Sequence, residues 1–210
     1  PRCLRKTVSF VCSDMYEGFV NAAKEVFGKK VKVIIDRFHV AKPYRKGFES
    51  LRKSELKRLK KTLSEDEHKK LKNIMWILRK PVTELKEDDL KKLHFLFGHS
   101  EKLATAYTLR NKLTEIFDRK ITRTQAKKKI KQWIKEVGSS NINCFNTFIG
   151  TLEKMMDDIL NYFIHRHNSG FVEGLNNKVK VLKRRCYGLP DHKNLFRRLH
   201  LDLRGYDLFL

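Results

Sequence analysis

The strongest constraint on the fold is a long stretch of the chain in which no β-strand can be recognised. Residues 44–161 contain no convincing strand, and their apolar residues recur at intervals of three and four. This spacing places apolar side chains along one stripe of an α-helix. The sequence therefore predicts a block of amphipathic helices that covers more than half of the 210-residue chain.

Six helices are predicted in this block. Ser64 and Glu67 have the spacing of a capping box at the start of the second helix, and Gly98 ends the third. Trp76 and Trp133 lie on amphipathic stripes and are interpreted as core residues. The predicted helices span residues 48–63, 64–80, 87–98, 100–119, 122–138 and 142–163.

The first 43 residues have a different character. Residues 7–13 and 31–35 are rich in β-formers and read as short strands, and residues 15–28 between them have helical spacing with Gly28 at the end. A strand, a helix and a strand within about 30 residues form a βαβ unit. We therefore expect the two strands to be parallel and adjacent.

Each predicted strand is followed directly by an acid, Asp14 after the first and Asp36 after the second. Arg37 and His39 come immediately after Asp36. Because ligands of open α/β sheets bind at the carboxyl ends of strands, these side chains are candidates for a functional site.

Near the end of the chain, Ser169 can cap a helix over residues 171–186. Its predicted buried stripe consists of Phe171, Leu175, Val179 and Leu182. Its opposite side carries Glu173, Asn176, Asn177, Lys180 and Arg184. A lone carboxylate in a first helical turn is usually only a favourable partner of the helix dipole. Beside two strand-end acids it could instead complete a carboxylate cluster for Mg²⁺ or Mn²⁺, of the kind that catalyses phosphodiester displacement.

The charge of the chain indicates a polyanionic partner. Lys and Arg number 47 against 24 Asp and Glu, which gives a formal charge of +23. Nucleic acid is the simplest such partner, with a merely soluble or ribosome-bound basic protein as the alternative. No apolar run is long enough to span a bilayer, so no membrane role is expected. Four scattered cysteines suggest neither a disulfide framework nor a zinc knuckle.

Three motifs carry a family resemblance. "SDM" at residues 13–15, "DRFHV" at 36–40 and "GFVEGLNNKVKVLKRRCYG" at 170–188 resemble the ISL-three family of insertion-sequence transposases, and the likeness extends from about residue 8 to residue 205. It implies a partial ribonuclease H-like fold, α/β but mostly α, with a DDE metal triad and a large helical insertion. It also implies Mg²⁺ or Mn²⁺ as cofactor, transposon ends and target DNA as partners, a homo-oligomer at full length, and a cytoplasmic, nucleoid-associated location in a bacterium.

The resemblance assigns roles to particular residues. Asp14 matches the second Asp of the triad and Glu173 its Glu, so both are expected to bind metal. Asp36 and His39 match a D-x-x-H signature and are expected at the rim of the active site; the alternative, that Asp36 is the second triad acid, stays open. The expected DNA contacts are Arg37, Asn176, Asn177, Lys180, Lys183, Arg184 and Arg185.

The chain also departs from the family pattern. The first Asp of the triad should lie on an earlier strand, and residues 1–13 contain no acidic residue. The chain is therefore expected to be the C-terminal catalytic part of a transposase and inactive in isolation, with a partial core over residues 1–43, a helical insertion over 44–162 and core helices with the Glu over 163–210. The alternative function is a non-catalytic, basic nucleic-acid-binding module or a decayed transposase remnant.

Overall fold

The computed structural model describes residues 2–28 and 30–209, without the side chains of residues 2, 206, 208 and 209. It divides into two compact units, Pro1–His167 and Asn168–Leu210. The described chain is mostly helical and has one small sheet of two strands. The expected mostly-α composition with short parallel strands is therefore confirmed.

The first unit begins with the predicted βαβ arrangement. After a short helix α1 (Arg2–Arg5), strand β1 (Phe10–Ser13), helix α2 (Glu17–Phe27) and strand β2 (Lys32–Ile35) follow in order. The two strands pair in parallel, from Phe10 opposite Lys32 to Ser13 opposite Ile35. Gly28 ends α2 with a φ of 88°, a conformation that glycine adopts without a steric penalty. Adjacent parallel strands are thus confirmed, although β1 begins three residues later than predicted.

The rest of the first unit consists of helices. Within the described residues no strand occurs between 44 and 161, as predicted. A short 3₁₀ turn at Val82–Glu84 joins two of the helices. The helices are α3 (Arg37–Thr62), α4 (Glu65–Lys70), α5 (Ile74–Arg79), α6 (Glu87–His99), α7 (Glu101–Asp118), α8 (Arg123–Ser139), α9 (Asn146–Lys154), α10 (Met156–Leu160) and α11 (Tyr162–His165).

Two of the predicted helices are broken in the structure. The predicted helix 64–80 divides at Asn73, which has a left-handed φ of 66°, although its capping box at Ser64 and Glu67 is present. The predicted helix 142–163 divides into α9, α10 and α11, and Asn161 at the last division donates from its side-chain amide to the carbonyl of Val33, 2.8 Å away. Local asparagine conformations and tertiary contacts therefore override the helical periodicity.

Helix α3 begins 11 residues earlier than predicted. Asp36 is its N-cap, and its carboxylate accepts a hydrogen bond of 2.7 Å from the backbone N–H of Phe38. Pro43 lies inside the helix, where it cannot donate to the carbonyl of His39. Because proline is unfavourable inside a helix, the sequence did not predict that residues 37–47 are helical.

The core of the first unit lies between the sheet and the helices. Trp133 is buried, and its indole N–H donates to the carbonyl of Leu109 at 2.7 Å. The apolar stripe that the sequence predicts for α7 is also buried, with all six of its residues, Leu103, Ala106, Leu109, Leu113, Ile116 and Phe117. Trp76 is 57% exposed, so its interpretation as a core residue is wrong. The break at Asn73 places Trp76 in a short helix whose other apolar residues, Ile74, Ile77 and Leu78, are the buried ones.

The second unit is a pair of helices, α12 (Gly170–Arg185) and α13 (His192–Phe209). Leu182, Leu195 and Leu199 are its buried residues. Lys178 of α12 pairs with Asp202 of α13 at 2.7 Å, and this hydrogen-bonded ion pair lowers the pKa of the Asp202 carboxyl. None of the described helices is long and apolar enough to cross a membrane.

Two details of the predicted last helix are wrong. Of the predicted buried stripe, only Leu182 is buried, whereas Leu175 and Val179 are half-buried and Phe171 is 82% exposed. Ser169 occupies the N-cap position but makes no capping hydrogen bond to the backbone. Its hydroxyl instead donates to the Glu173 carboxylate at 3.3 Å.

Candidate active site

The strand-end acids lie at the same edge of the sheet. Ser13 and Ile35 are paired in the parallel register, and Asp14 and Asp36 are the next residues along each strand. The backbone N–H of Asp36 also donates to the carbonyl of Ser13 at 3.0 Å. The structure therefore brings these two acids together at the carboxyl edge, as expected for parallel neighbouring strands.

Asp14 is the more accessible of the two. It is half-buried, in the loop that joins β1 to α2. Its Oδ1 accepts a hydrogen bond of 3.0 Å from the backbone N–H of Tyr16. Among the described residues no lysine or arginine forms an ion pair with it. A carboxylate fixed by one backbone donor, with a second oxygen directed elsewhere, is suited to bind a cation.

Asp36 has a different environment. It is only 4% exposed, and its carboxylate caps the N-terminus of α3. The thiol of Cys12, on the neighbouring strand, has its pKa raised by burial and by the negative charge of Asp36.

Arg37 and His39 occupy the first turn of α3. Arg37 forms an ion pair with Asp118 at the C-terminus of α7. His39 is half-buried, and its ring lies edge-on to Phe38 with centroids 5.6 Å apart. The D-x-x-H segment is thus one helical turn, with its acid at the cap and its arginine bound to the helical block.

Ion pairs also connect helix α2 of the βαβ unit to the helical block. Lys24 of α2 contacts Asp158 of α10 at 3.0 Å, and Lys154 of α9 contacts Glu17 of α2 at 2.9 Å. Helix α10 also packs against β2. These contacts hold the βαβ unit and the helical block as one body.

Arg166, between α11 and α12, anchors the end of the first unit. It adopts a left-handed conformation with a φ of 55°. Its guanidinium donates to the carbonyls of Phe117, Asp118 and Arg119, which end α7, and its carbon lies 5.2 Å from the centroid of the Tyr162 ring. A cation at the C-terminus of a helix is favourable because the free carbonyls there carry partial negative charge.

Glu173 lies in the second unit, in the first turn of α12. Its carboxylate is exposed and accepts the hydrogen bond from Ser169. The predicted DNA contacts of the same helix are also all exposed: Asn176, Asn177, Lys180, Lys183, Arg184 and Arg185. One helix therefore carries a carboxylate at its start and a basic, solvent-exposed surface along its length.

Three acidic side chains of the chain have the ligand chemistry of a divalent-ion site. Carboxylate oxygens are the ligands that Mg²⁺ and Mn²⁺ prefer, so Asp14, Asp36 and Glu173 fit this chemistry. Neither unit, as far as its residues are described, contains a group of three histidine, cysteine or acidic side chains placed to hold an ion. His165 and His167, whose rings lie 5.4 Å apart, contact the ring of Phe10.

Comparison with known proteins identifies the family. A family model for the ISL-three DDE transposases, described as "Transposase", matches residues 2–199. The chain belongs to this transposase family. It is 27% identical over 179 residues to the transposase for insertion sequence element IS1001 of Bordetella parapertussis, a match that covers 84% of this chain and 43% of that protein. The chain thus spans less than half the length of this relative, and no solved structure matches.

The sequence of this transposase-family chain did not predict the structural roles of two residues, Asp36 and Arg166. The capping role of Asp36 could have been inferred from an acid before a run with helical spacing, had Pro43 not interrupted the pattern. The anchoring role of Arg166 had no local signal, because its partners lie 47 to 49 residues away in sequence.

Proposed function

We propose that the chain carries the catalytic part of a DDE transposase that cleaves and joins DNA strands when an insertion sequence moves. The observation that carries the proposal is the placement of Asp14 at the carboxyl edge of a parallel βαβ unit, in a chain whose family match extends over residues 2–199. The βαβ unit represents part of a ribonuclease H-like core in this proposal, and the helical block represents the insertion before the catalytic Glu.

Asp14 and Glu173 are the proposed metal ligands. Asp14 is preferred to Asp36 as the second triad acid, because Asp36 is almost completely buried and already caps α3. Bound Mg²⁺ or Mn²⁺ would supply the Lewis acidity that polarises a phosphodiester and activates the attacking oxygen. Asp36 orients the first turn of α3, and through it Arg37 and His39, at the rim of the site.

The exposed residues of α12 are proposed to hold the DNA backbone near Glu173. Lysine and arginine side chains contact phosphates without reading sequence, while asparagines can contact either backbone or base edges. Helix α12 carries the Glu173 carboxylate together with Asn176, Asn177 and Lys180. One rigid helix would therefore hold both the DNA strand and the catalytic group.

A transposition assay in cells tests this assignment. The gene that encodes the chain would act on a marker flanked by the terminal repeats of its element. We expect Asp14→Asn and Glu173→Gln each to reduce excision by at least about a hundredfold, because a missing metal ligand removes transition-state stabilisation. Asp66→Asn, an exposed acid of α4, serves as the control and should keep full excision.

The two functions give different results in this assay. Excision that survives Glu173→Gln would contradict the catalytic role. A full-length transposase that contains this chain and binds DNA, but supports no excision in any form, would correspond to the alternative function, a basic nucleic-acid-binding module or a decayed transposase remnant.

A further inference from the structure

A cavity of about 500 Å³ with several charged side chains in its lining lies in the helical block, between α3, α5 and α7. Three arginines line it: Arg45 from α3, Arg79 from α5 and Arg110 from α7. Neither the family resemblance nor the proposed active site assigns a role to it. Its position inside a packed helical block makes the charge of its lining unusual.

Arg110 is a buried cation. The residue is only 8% exposed, and its guanidinium carbon lies 4.9 Å from the ring centroids of both Phe48 and Tyr107. Nη1 donates to the carbonyl of Leu78, while Nε and Nη2 donate to the side-chain oxygen of Asn111 at 3.3 and 2.8 Å. These bonds use three of the five N–H groups that a guanidinium carries. The head group is therefore fixed in position and keeps donors for a further acceptor.

Among the described residues, no ion pair involves Arg110. Burial is the main cause that lowers its pKa, and the positive charge of Arg45 acts in the same direction, whereas Tyr107, Tyr44 and Glu49 act in the opposite one. A guanidinium nevertheless stays protonated in proteins. A buried charge without an ion pair is costly, and an anionic ligand would reduce that cost.

The carboxylates that line the cavity are already engaged. Glu49 accepts hydrogen bonds from Arg52 at 3.1 and 2.7 Å, and its other oxygen is 3.8 Å from Nε of Arg79. Asp118 pairs with Arg37. Arg45 is exposed and forms no ion pair among the described residues. The cavity thus has an excess of positive charge, with the exposed Arg45 and Arg79 at its rim and the buried Arg110 at its base.

We propose that this cavity binds a phosphate group. Arginine matches phosphate because its planar fork donates two parallel hydrogen bonds to two oxygens. Arg110 would form the rigid base of the site, and Arg45 and Arg79 would close on the anion from the rim. The phosphate has two possible sources, the backbone of a bound DNA strand or a small free phosphate compound.

The first arm of the test measures binding of inorganic phosphate by calorimetry at constant ionic strength. The double variant Arg45→Gln/Arg79→Gln removes the two exposed arginines of the cavity. The control variant Lys57→Gln/Lys60→Gln removes the same charge from exposed positions of α3 that lie about three to four turns beyond Arg45. We expect the rim variant to bind phosphate at least about tenfold more weakly, since one charge-assisted hydrogen bond is worth about tenfold in affinity. The control variant should bind like the unmodified chain.

The second arm measures how the affinity for a short DNA duplex depends on salt. If the site holds a backbone phosphate, the slope of log affinity against log salt concentration should be about one unit smaller per lost contact in the rim variant. The control variant should show a smaller change in this slope. If it holds a free phosphate compound, the DNA affinity of the two variants should be equal. The phosphate arm does not depend on DNA binding, so it tests the cavity even if the proposed function fails.

Weaker phosphate binding by the rim variant alone supports the site. A change in the DNA salt slope of the rim variant identifies a backbone phosphate as the ligand, and an unchanged DNA affinity identifies a free phosphate compound. Equal behaviour of the rim and control variants in both arms would overturn the proposal. Arg110→Lys keeps the charge but loses the fork, and it should weaken phosphate binding as well. Its folding is checked by circular dichroism, and the conclusion does not depend on this variant because Arg45 and Arg79 are exposed.

Discussion

Two aspartates at equivalent points of neighbouring strands have different environments in this chain. Asp14 is half-buried in a loop, with one backbone donor on its carboxylate. Asp36 is buried and caps a 26-residue helix. A carboxylate engaged at a helix N-terminus is already stabilised by the backbone donors and the helix dipole. Burial and hydrogen bonding, which a strand-end pattern cannot reveal, therefore distinguish the two acids.

A substitution at Asp36 tests its capping role. Asp36→Ala should lower the free energy of unfolding by about 1–2 kcal/mol, because it removes the side-chain acceptor of the Phe38 N–H. Asp36→Asn should recover most of this loss, since asparagine is an equally good N-cap. Urea denaturation measures both values. An alanine variant as stable as the unmodified chain would show that the cap contributes nothing.

At the scale of single residues, the sequence predicted which acids face the sheet edge but not how each one is used. The paired strands followed from their β-formers, and the acids followed from their position after those strands. The role of Arg166 depends on carbonyls that end a helix far away in the sequence, and the buried guanidinium of Arg110 lies against the ring of Phe48 from a different helix. Neither relation leaves a local pattern.

Among the elements, close packing decides features that helical periodicity leaves open. Helix α3 approaches the segment before α9 so closely that a Cβ on Gly47 would lie 2.1 Å from the carbonyl oxygen of Cys144. Burial at the same contact raises the pKa of the Cys144 thiol to about 11. The sequence predicted both helical regions, but it could not predict the close approach or the breaks at Asn73 and Asn161. The close approach and the break at Asn161 involve partners from other elements, and the break at Asn73 involves a left-handed residue.

Substitution of glycine tests this contact with an internal control. Glycine to alanine in a helix interior normally stabilises by about 1 kcal/mol. Gly150→Ala in the middle of α9 should show that gain, because no atom lies within 4 Å of the added Cβ. Gly47→Ala should destabilise the fold, because the backbone of Cys144 must move. Thermal unfolding of the two variants measures the difference, and a stabilised Gly47→Ala variant would contradict the close contact.

Over the whole molecule, charge is the dominant property. A formal charge of +23 is carried by a chain whose described lysines and arginines lie mostly on helix surfaces. No base-reading motif was recognised in the sequence. We expect such a surface to bind DNA through phosphate contacts that release counterions. The overall class and the family could be recognised from motifs and charge, whereas oligomerisation of the full-length transposase stays a prediction.

Salt dependence tests this view of the whole chain. DNA affinity should fall by about 10³ or more between about 50 and 200 mM salt, if several phosphates are contacted. It should differ little between duplexes of unrelated sequence. Fluorescence anisotropy of labelled duplexes measures both properties. Affinity that stays constant across this range of salt would exclude phosphate contacts as the main source of binding.

The central proposal is that Asp14 and Glu173 bind the same divalent ion, and paramagnetic broadening by Mn²⁺ tests it most directly. Amide signals of the isotope-labelled chain are recorded during addition of small amounts of Mn²⁺. We predict that signals around Asp14 and around Glu173 broaden together, and that Asp14→Asn or Glu173→Gln abolishes the broadening of both groups. Asp66→Asn, the exposed acid used as a control, should leave it unchanged. Broadening of one group that persists when the other acid is replaced would show two independent sites and contradict the proposal.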